Sequence, residues 1–552
     1  MTTPPVPLAL LDHWAQQLPD RIWLRQPQQR QLRDLSWQQV KQQVDAIANA
    51  LHHLGLSPGD KVALLSKNCA EWFIVDLALQ AAHLISVPIF PTASTNTVRY
   101  ILQHSAAKAV FLGKLDNPDD FEHTLPPGVL RLHMNHPSVS CQYQWQQLIE
   151  LGTERPSIAP TTPLAATELM TLIYTSGSTG NPKGAQLTYG AYATATKIIA
   201  TELKASQQDR LISYLPLAHI TERSYIQGSA LHSGATVYFV ENQQTFIDDI
   251  QAARPTLFLS VPRLWTVFRE NILTKVGAGR LALLLKIPLL HRLVAHKIRT
   301  QLGLDQARMF GCGSAPVAPA LLHWYRRIGI DISEAWGMTE NSGLGTLNVP
   351  FNLSKIGTVG HPAQQCSVRL GTHQELLFKS PARFSGYYKD EAATASAFTD
   401  DGYFKTGDQA EIDNDGYVRI TGRLKDAFKT AKGKYVAPVP IEHKLAQNSV
   451  IELLCIIGAG APAPVALIQL TEHAKTLPQT EIEQSLSVSI HSLNQHLERH
   501  EQLGGVLIMA SPWTVENELL TPTLKIKRHQ LETLFNEQIS HIRHNTIHWQ
   551  AP

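Results

Sequence analysis

The sequence predicts an α/β protein divided into several layered subdomains. Strand-like and helix-like patterns alternate in the first part of the chain, which is typical of parallel sheets covered by helices. The chain has 552 residues, too many for one hydrophobic core and enough for two to four domains or subdomains. Hydrophobic residues make up 43% of the chain and charged residues 17%, as in a soluble globular protein.

The first elements are indicated by one helix start signal and by the spacing of apolar residues. Ser36 and Gln39 have the form of a capping box, and the helical pattern behind them ends at Gly55. Strands are then expected at 62–65, 85–90 and 109–112, and helices at 71–83 and 97–104. Residues 113–165 are rich in Pro, His and Gln with weak periodicity, and we interpret them as a surface excursion.

The middle of the chain continues the alternation. A helix is expected at 189–205, strands at 209–214, 235–240 and 257–261, and another helix from Pro262 onward. Segment 281–298 is apolar but carries Lys286, Arg292 and Lys297, so it could be an amphipathic helix lying on a membrane. Pro288 interrupts it, and a buried helix pair is the alternative.

Composition excludes several classes of protein. The formal net charge of +2 gives no electrostatic footprint for nucleic acid. The five cysteines are scattered without a CxxC pair, which argues against a zinc site or a disulfide framework and favours a reducing cytoplasm. The N-terminal residues lack the pattern of a signal peptide, and no apolar run reaches the roughly 18 residues of a membrane span.

The most informative stretch follows the apolar run 169–173 and ends in Asn-Pro-Lys-Gly. Its glycines let backbone N–H groups converge on an anion, its hydroxyls add donors, and Lys183 adds a positive charge. This combination suits a polyphosphate. Pro182 and Gly184 distinguish it from a Walker A loop. A flexible Ser/Gly linker is the alternative, which the preceding strand and the Pro-Lys-Gly ending disfavour.

The loop Thr-Ser-Gly-Ser-Thr-Gly-Asn-Pro-Lys-Gly resembles the phosphate loop of the AMP-forming adenylating superfamily, which includes acyl-CoA synthetases, luciferases and adenylation domains of peptide synthetases. Further motifs follow in the superfamily's order at 311–316, 334–340, 402–408 and 422–426. The resemblance extends from about 36 to 528 and is weakest before the loop and between 459 and 505. It implies a large α/β domain at 1–421 and a small, mobile α+β domain at 422–552.

The resemblance also implies roles for individual residues. Trp336, where the family more often has Tyr, can stack on adenine, and Thr339 can donate to the α-phosphate. Glu340 and Ser178 can hold Mg²⁺. Asp408 is expected to accept the ribose hydroxyls, and Arg423 to reach ribose or phosphate. The ATP contacts implied in this way are Thr175, Ser176, Gly177, Ser178, Thr179, Gly180, Lys183, Gly313, Ser314, Ala315, Pro316, Glu334, Ala335, Trp336, Gly337, Thr339, Asp408, Arg423 and Lys525.

Two lysines of the C-terminal part are singled out by the same resemblance. Lys525 ends a Leu-Thr-Pro-Thr-Leu-Lys run like that of long-chain fatty acyl-CoA synthetases and is the expected catalytic lysine, with Lys527 as its nearest rival. Lys425 aligns with the family's hinge. Gly311 and Gly313 are expected beside the acyl group, and His219 near the mouth of the acyl pocket, although a lone histidine is often a structural core residue.

The resemblance therefore implies an AMP-forming fatty acid:CoA ligase. A medium- to long-chain fatty acid, ATP and CoA are the expected substrates, with Mg²⁺ as cofactor. Two alternatives stay open: an enzyme that passes the acyl group to a carrier protein, and a nucleotide-binding regulator without catalysis. The joint presence of Glu340, Arg423 and Lys525 disfavours the regulator. The expected location is the cytoplasm, with peripheral membrane contact through 281–298 as an option.

Overall fold

The first half of the chain is organised around a seven-stranded sheet. The computed structural model describes residues 4–136, 139–160, 162–175, 181–521, 525–540, 542 and 546–550. The sheet has the order β18-β8-β7-β4-β3-β5-β6. Its strands are β3 (Lys61–Leu65), β4 (Ile85–Ile89), β5 (Ala109–Leu112), β6 (Leu130–His133), β7 (Leu169–Thr175), β8 (Lys183–Thr188) and β18 (Gly386–Tyr387). β3 to β6 pair in parallel, as the alternation of strands and helices predicts, whereas β7 and β8 form an antiparallel hairpin.

A four-stranded sheet with the order β2-β1-β10-β9 lies beside the first. It consists of β1 (Ile22–Gln28), β2 (Gln31–Ser36), β9 (Arg210–Ser213) and β10 (Thr236–Phe239). The helices of this half are α1 (Pro7–Gln17), α2 (Trp37–His53), α3 (Ala70–Ala81), α4 (Thr95–Ser105), α5 (Asp119–Glu122), α6 (Trp145–Glu154), α7 (Tyr189–Glu202), α8 (Ile220–Glu222), a π-helix (Arg223–Gly228), α9 (Ser229–Ser233) and α10 (Phe246–Ala253). The capping box at Ser36 and Gln39 is present and starts α2.

The interpretation of 113–165 as a surface excursion is wrong in part. This segment contains β6, which extends the main sheet, and α6, which packs on α2. The two helices approach so closely that a Cβ atom at Gly152 would lie 1.7 Å from the carbonyl oxygen of Ala46. The pattern is weak because β6 is four residues long and only Leu132 in it is fully buried.

The next layer is a five-stranded sheet with the order β11-β12-β13-β14-β15. Its strands are β11 (Leu257–Ser260), β12 (Met309–Cys312), β13 (Ile332–Trp336), β14 (Thr346–Leu347) and β15 (His361–Pro362), and its helices are α11 (Pro262–Val276), α12 (Ala278–Leu284), α13 (Pro288–Gln301) and α14 (Pro319–Arg326). Pro288 begins α13, so segment 281–298 is two helices separated by a turn. No helix among the described residues is both long and apolar enough to cross a membrane.

A four-stranded antiparallel sheet follows, with the order β16-β17-β19-β20. It is formed by β16 (Ser367–Leu370), β17 (Glu375–Lys379), β19 (Phe404–Ile412) and β20 (Val418–Arg423), and α15 (Glu391–Ser396) lies between β18 and β19 along the chain. β20 ends at Arg423, and Lys425 follows in a short 3₁₀ turn, Leu424–Asp426.

The C-terminal part has its own core on both faces of one sheet. A two-stranded ladder, β21 (Phe428–Lys429) and β22 (Tyr435–Val436), precedes a sheet of β23 (Ile451–Ile457), β24 (Val465–Leu470), β25 (Gly505–Ile508) and β26 (Thr546–Trp549). Along β23, Leu454 and Ile456 face one side, and Cys455 and Ile457 face the other, as strand geometry requires. The helices α16 (Pro438–Leu445) and α17 (Gln479–Asn494) cover the first side, and α18 (Arg528–Ser540) covers the second.

Candidate active site

The predicted phosphate loop connects the two strands of a hairpin. β7 ends at Thr175 and β8 begins at Lys183, and these two residues lie opposite each other in the ladder. Residues 176–180, which carry the predicted contacts Ser176, Gly177, Ser178, Thr179 and Gly180, lie outside the described residues. The hairpin fixes both ends of the loop at one edge of the main sheet.

Lys183 is held by residues that sequence reasoning left without a role. Its Nζ lies 2.9 Å from Oδ2 of Asp390 and 5.3 Å from the centre of the Tyr387 ring. The short strand β18 pairs Tyr387 with Ala185 of β8, so the contact comes from sheet pairing across about two hundred residues of sequence. Nothing in the local sequence around Tyr387 indicated this contact.

Tyr387 also contacts the predicted metal-binding carboxylate. Its hydroxyl donates to Oε1 of Glu340 at 2.9 Å, and Glu340 is buried in the 3₁₀ turn Thr339–Asn341 together with Thr339. Burial raises the pKa of Glu340 above its ordinary value, while Tyr387 and Arg423 oppose this shift. The carboxylate is therefore oriented by a hydrogen bond and has lost much of its hydration.

Asp408 is held between a tryptophan and an arginine. It lies directly opposite Arg423 in the antiparallel pair β19–β20, and Nε of Arg423 is 2.9 Å from its Oδ1. The indole N–H of Trp336 donates to its Oδ2 at 2.8 Å. Asp408 is buried, whereas the Arg423 side chain is 53% exposed at the cleft. With both oxygens engaged, the carboxylate has a fixed direction, as recognition of a sugar hydroxyl requires.

Trp336 also forms one wall of a narrow cavity. Predicted site residues in this wall are Gly311, Gly313, Ser314, Glu334, Ala335, Trp336 and Gly337. Apolar side chains complete it, among them Tyr225, Leu259 and Met309. A Cβ atom at Gly345 would lie 2.6 Å from the Trp336 ring, so glycine is required behind it. Ala315 and Pro316 are exposed in the turn after β12 and do not line this cavity.

The free volume of the cavity is about 40 Å³, far below the roughly 300–1,000 Å³ of most ligand pockets. A long acyl chain therefore requires the apolar lining side chains to move. Glu334 lies in the same wall and accepts a hydrogen bond from the backbone N–H of Gly357 at 2.8 Å. Burial raises the pKa of Glu334 to about 8, so it is largely protonated at neutral pH.

Lys525 is presented to this cleft by the C-terminal part of the chain. The backbone N–H of Lys525 donates to the hydroxyl of Thr521, and the backbone N–H of Thr521 donates to the carbonyl of Lys525. Residues 522–524 lie outside the described residues. The pKa of Lys525 is lowered to about 8, first because surrounding protein atoms reduce the hydration of its ammonium group and next because Arg423 repels it. Asp408 and Glu340 act in the opposite direction. The residue nevertheless remains exposed to solvent.

His219 lies at the start of α8 and faces the same space. Its Nδ1 accepts the backbone N–H of Thr221 at 3.3 Å, and its ring centre is 6.4 Å from that of Phe90. Burial, and next the charge of Lys525, lower the pKa of His219 to about 3. The imidazole is therefore neutral at physiological pH and poorly suited to accept a proton.

A second carboxyl group behind the cavity was missed by sequence reasoning. Glu222 is fully buried, and its Oε1 accepts the backbone N–H of Tyr214 at 3.0 Å and the side-chain amide of Asn68 at 3.2 Å. Burial raises its pKa to about 8. The next residue, Arg223, pairs with buried Asp76 at 2.7 Å and begins the π-helix. These two adjacent residues are the only Asp, Glu, Lys or Arg between Arg210 and Glu241, and such an isolated pair is the sequence signal that could have revealed this network.

The structure thus brings together Lys183, Glu334, Trp336, Thr339, Glu340, Asp408, Arg423 and Lys525 around one cleft, with His219 at its edge. It is Lys525 whose charge interacts with Arg423, Asp408 and Glu340. The backbone N–H of Lys527 is instead paired with the carbonyl of Leu519. Such an arrangement can bind a nucleotide between a carboxylate, two cations and a flat ring.

Two family models match the chain. The one described as AMP-binding enzyme covers residues 11–388, and the one described as AMP-binding enzyme C-terminal domain covers residues 425–546. The long-chain-fatty-acid–CoA ligase FadD15 of Mycobacterium bovis is 32% identical over 582 residues, which cover 96% of this chain and 94% of that protein. The peroxisomal long chain acyl-CoA synthetase 7 of Arabidopsis thaliana is 30% identical and covers 90% of this chain and 79% of that protein.

Solved structures share the fold at lower identity. The A-PCP didomain of carboxylic acid reductase from Segniliparus rugosus in complex with AMP matches with a TM-score of 0.81 and 22% identity, over 97% of this chain and 81% of that one. The anthranilate CoA ligase AuaEII in complex with anthranoyl-AMP matches with a TM-score of 0.78 and 19% identity, over 97% of this chain and 98% of that one. The family model over residues 11–388 and the nearly full-length relatives show that the chain belongs to the AMP-binding enzyme family.

Proposed function

We propose that this protein is an AMP-forming ligase that joins a medium- to long-chain fatty acid to CoA. The observation that carries the proposal is the convergence of Lys525, Arg423, Asp408 and Glu340 beside an apolar cavity at the end of the phosphate hairpin. The two long-chain ligases that match over most of the chain support the choice of a fatty acid and of CoA.

In the first half-reaction a carboxylate oxygen of the fatty acid attacks the α-phosphorus of ATP. The bond to the β-phosphate breaks, and pyrophosphate leaves with its electrons. Asp408 would hold the ribose and Trp336 the adenine, while Lys525 would neutralise charge on the reacting carboxylate and phosphate. No covalent enzyme nucleophile is needed, because positioning and charge stabilisation lower the barrier.

In the second half-reaction the CoA sulfur attacks the acyl carbonyl carbon. The bond to AMP breaks, and the thiol proton goes to solvent. The cleft that admits Lys525 would have to admit CoA, so the small domain is proposed to rotate at Lys425. This residue is exposed in its 3₁₀ turn, which supports a hinge there because its charge can stay hydrated in both positions. The end of β20 at Arg423 and the C-terminal match from residue 425 support a boundary close to the proposed division at 421/422.

The residues of the cleft fit Mg²⁺. Glu340 offers a buried carboxylate oriented by Tyr387, and Mg²⁺ prefers one or two carboxylates with phosphate oxygens and water. When bound, the ion would neutralise phosphate charge. The chain's own contribution is to hold the Glu340 carboxylate in place, together with the hydroxyl of the proposed second ligand Ser178.

A carrier protein remains the second candidate acceptor. One solved structure with the same fold is an A-PCP didomain of carboxylic acid reductase, and at 22% identity this match supports the fold alone. A reducing cytoplasm is the proposed location, which the five free cysteines support.

The test is AMP formation from ATP by the purified chain across a series of fatty acids, with CoA present or absent. We expect multiple turnovers only with CoA, Mg²⁺ and acids of medium to long chain. A strong preference for short acids or amino acids would contradict the substrate assignment. Acyl transfer to a carrier protein in place of CoA would favour the second candidate.

A further inference from the structure

The helices α12 and α13 present an apolar surface to solvent. Leu283 and Leu293 are 64% and 67% exposed, and Ile287 and Leu290 between them are 44% and 37% exposed. The opposite side is anchored, because Leu281, Ala295 and Ile298 pack in one buried cluster with Trp265 and Phe268. Four large apolar side chains exposed within one short stretch differ from single exposed ones and mark an interaction surface.

The same stretch is strongly basic. There is no Asp or Glu between Glu270 and Asp305, although at the chain's average of 46 acidic residues in 552 this interval would hold about three. The interval carries Lys275, Arg280, Lys286, Arg292, Lys297 and Arg299. All of these but Arg299 are exposed. The chain as a whole is nearly neutral, so this cationic surface is local.

We propose that this surface binds an anionic lipid bilayer. We define the docking face as Leu283, Lys286, Ile287, Leu290, Arg292, Leu293 and Lys297. Its apolar side chains would enter the headgroup region while its cations contact lipid phosphates, as for other amphipathic interfacial helices. A second copy of the chain is a poorer partner, because it would bring like charges together. Nucleic acid is also a poorer partner, because it would leave the four exposed apolar side chains without an apolar contact.

The docking face lies one helix layer from the acyl cavity. Its helix α12 packs on α11, and its helix α13 packs on α12. Trp265 of α11 donates its indole N–H to the carbonyl of Gly311 in the cavity wall at 3.3 Å. β11, directly before α11, contributes Leu259 and Ser260 to the same wall. A bound bilayer would therefore hold dissolved fatty acid close to the cavity. This consequence rests on the proposed function, whereas lipid binding itself does not.

The test is sedimentation of the full chain with vesicles of phosphatidylcholine alone or mixed with phosphatidylglycerol at about 60:40. We expect binding to the anionic vesicles only, and weaker binding as salt rises from about 50 to 500 mM, because screening shortens the reach of the cations. The double variant Lys286→Glu with Arg292→Glu should bind at least about 25-fold more weakly, since each cation near an anionic surface is worth about a factor of five.

The apolar part is tested by Leu283→Gln with Leu293→Gln, which should weaken binding at every salt concentration. The matched control is Leu32→Gln with Val488→Gln, two side chains that are 50% and 65% exposed elsewhere, and it should bind like the parent. Equal binding to neutral vesicles, no binding to anionic ones, or equal loss in the control would overturn the inference. So would dimerisation of the parent that the face variants abolish.

A ligase assay with fatty acid delivered on albumin, without vesicles, separates this inference from the proposed function. All surface variants should keep the parent's activity there, because none of these side chains lines the cleft. If the unsubstituted protein binds anionic vesicles but forms no acyl-CoA, the proposed function is contradicted and the docking face is still supported. If the unsubstituted protein forms acyl-CoA but does not bind anionic vesicles, only the docking face is overturned.

Discussion

The two sides of the cleft are held in place by different means. On the side that we propose binds the nucleoside, Asp408 and Arg423 are cross-strand partners, and Trp336 fixes the second oxygen of Asp408 from a neighbouring sheet. On the side of the proposed lid, Lys525 belongs to the C-terminal part of the chain, which has its own core. An ion pair that joins the two domains, Arg263 to Glu452 at 3.0 Å, has side chains 45% and 27% exposed, and pairs of this kind contribute about 0–1 kcal/mol.

This difference indicates which residues can act in only one half-reaction. The nucleoside side is set when the large domain folds and should serve every step in which the nucleotide is bound. We propose that the lid side depends on how the small domain is placed, and that the small domain can move away from the cleft. Substitutions on the two sides should therefore separate the half-reactions in different ways.

The largest effect is expected for Lys525→Ala. Loss of one well-placed charged donor typically costs about 2.7–4 kcal/mol of barrier, or about 10²- to 10³-fold in rate. Adenylate formation should fall by this amount in a single-turnover assay from ATP and fatty acid. Thioester formation from supplied acyl-AMP and CoA should stay largely intact, because the lysine is not needed there.

Lys527→Ala is the matched control for that substitution. This variant should form adenylate at close to the parent's rate, because Lys525, and not Lys527, interacts with the charged groups of the cleft. The reverse result, with Lys527→Ala inactive and Lys525→Ala active, would place the catalytic lysine two residues further along.

Asp408→Asn tests the nucleoside side. The change keeps the shape of the side chain but removes the charge that pairs with Arg423, and hydrogen bonds to charged groups contribute about 1.5–3 kcal/mol. We expect KM for ATP to rise about ten- to hundredfold, and both half-reactions to weaken. Selective loss of one half-reaction would contradict the idea that this side serves both.

Lys425→Pro tests whether the proposed small domain rotates about this residue. Proline fixes φ near −65° and restrains the preceding Leu424, which would prevent a change of backbone conformation at this position. Pyrophosphate release should be retained, while thioester formation from acyl-AMP and CoA should fall more than about tenfold. An equal loss in both assays would indicate misfolding or a different hinge, and no loss would show that the domain does not rotate about Lys425.

The pH dependence should also come from the lid side. With its pKa lowered to about 8, Lys525 is protonated and active below that pH and loses its charge above it. The value of kcat/KM for adenylation should therefore fall about tenfold per unit above pH 8. Lys525→Arg should remove this decline over the accessible range, because a guanidinium stays protonated.

Two buried carboxyls titrate in the same range and need a control. Burial raises the pKa values of Glu222 and Glu334 to about 8 as well. The variants Glu222→Gln and Glu334→Gln should keep the alkaline decline if Lys525 causes it. A decline that survives in Lys525→Arg but disappears in one of these would identify that carboxyl as the titrating group.

The smallest effect is expected for Trp336→Tyr. The phenol ring can still stack, and what is lost is the indole N–H donated to Asp408. A net hydrogen bond of about 0.5–1.5 kcal/mol corresponds to a change in KM for ATP of about two- to twelvefold. A far larger rise would show that this hydrogen bond, rather than stacking, dominates recognition on the nucleoside side.

Sequence could predict that Trp336, Asp408 and Lys525 lie around one cleft, because each belongs to a short run with a recognisable order. Their roles in binding and catalysis stay predictions. Sequence could not predict the contact of Tyr387 with Glu340 or of Asp390 with Lys183. These arise from the pairing of β18 with β8, which joins segments distant in the chain. Local periodicity likewise failed for β6, which is short and only partly buried.

The small volume of the proposed acyl cavity has a consequence for selectivity. Leu259 and Met309 end in flexible groups, and a chain that enters must displace them instead of filling a rigid tube. Each additional methylene buried contributes about 0.8 kcal/mol, against a rising cost of moving the wall. Preference among substrates should therefore change smoothly over several chain lengths, with a broad maximum and no sharp cut-off at one carbon number.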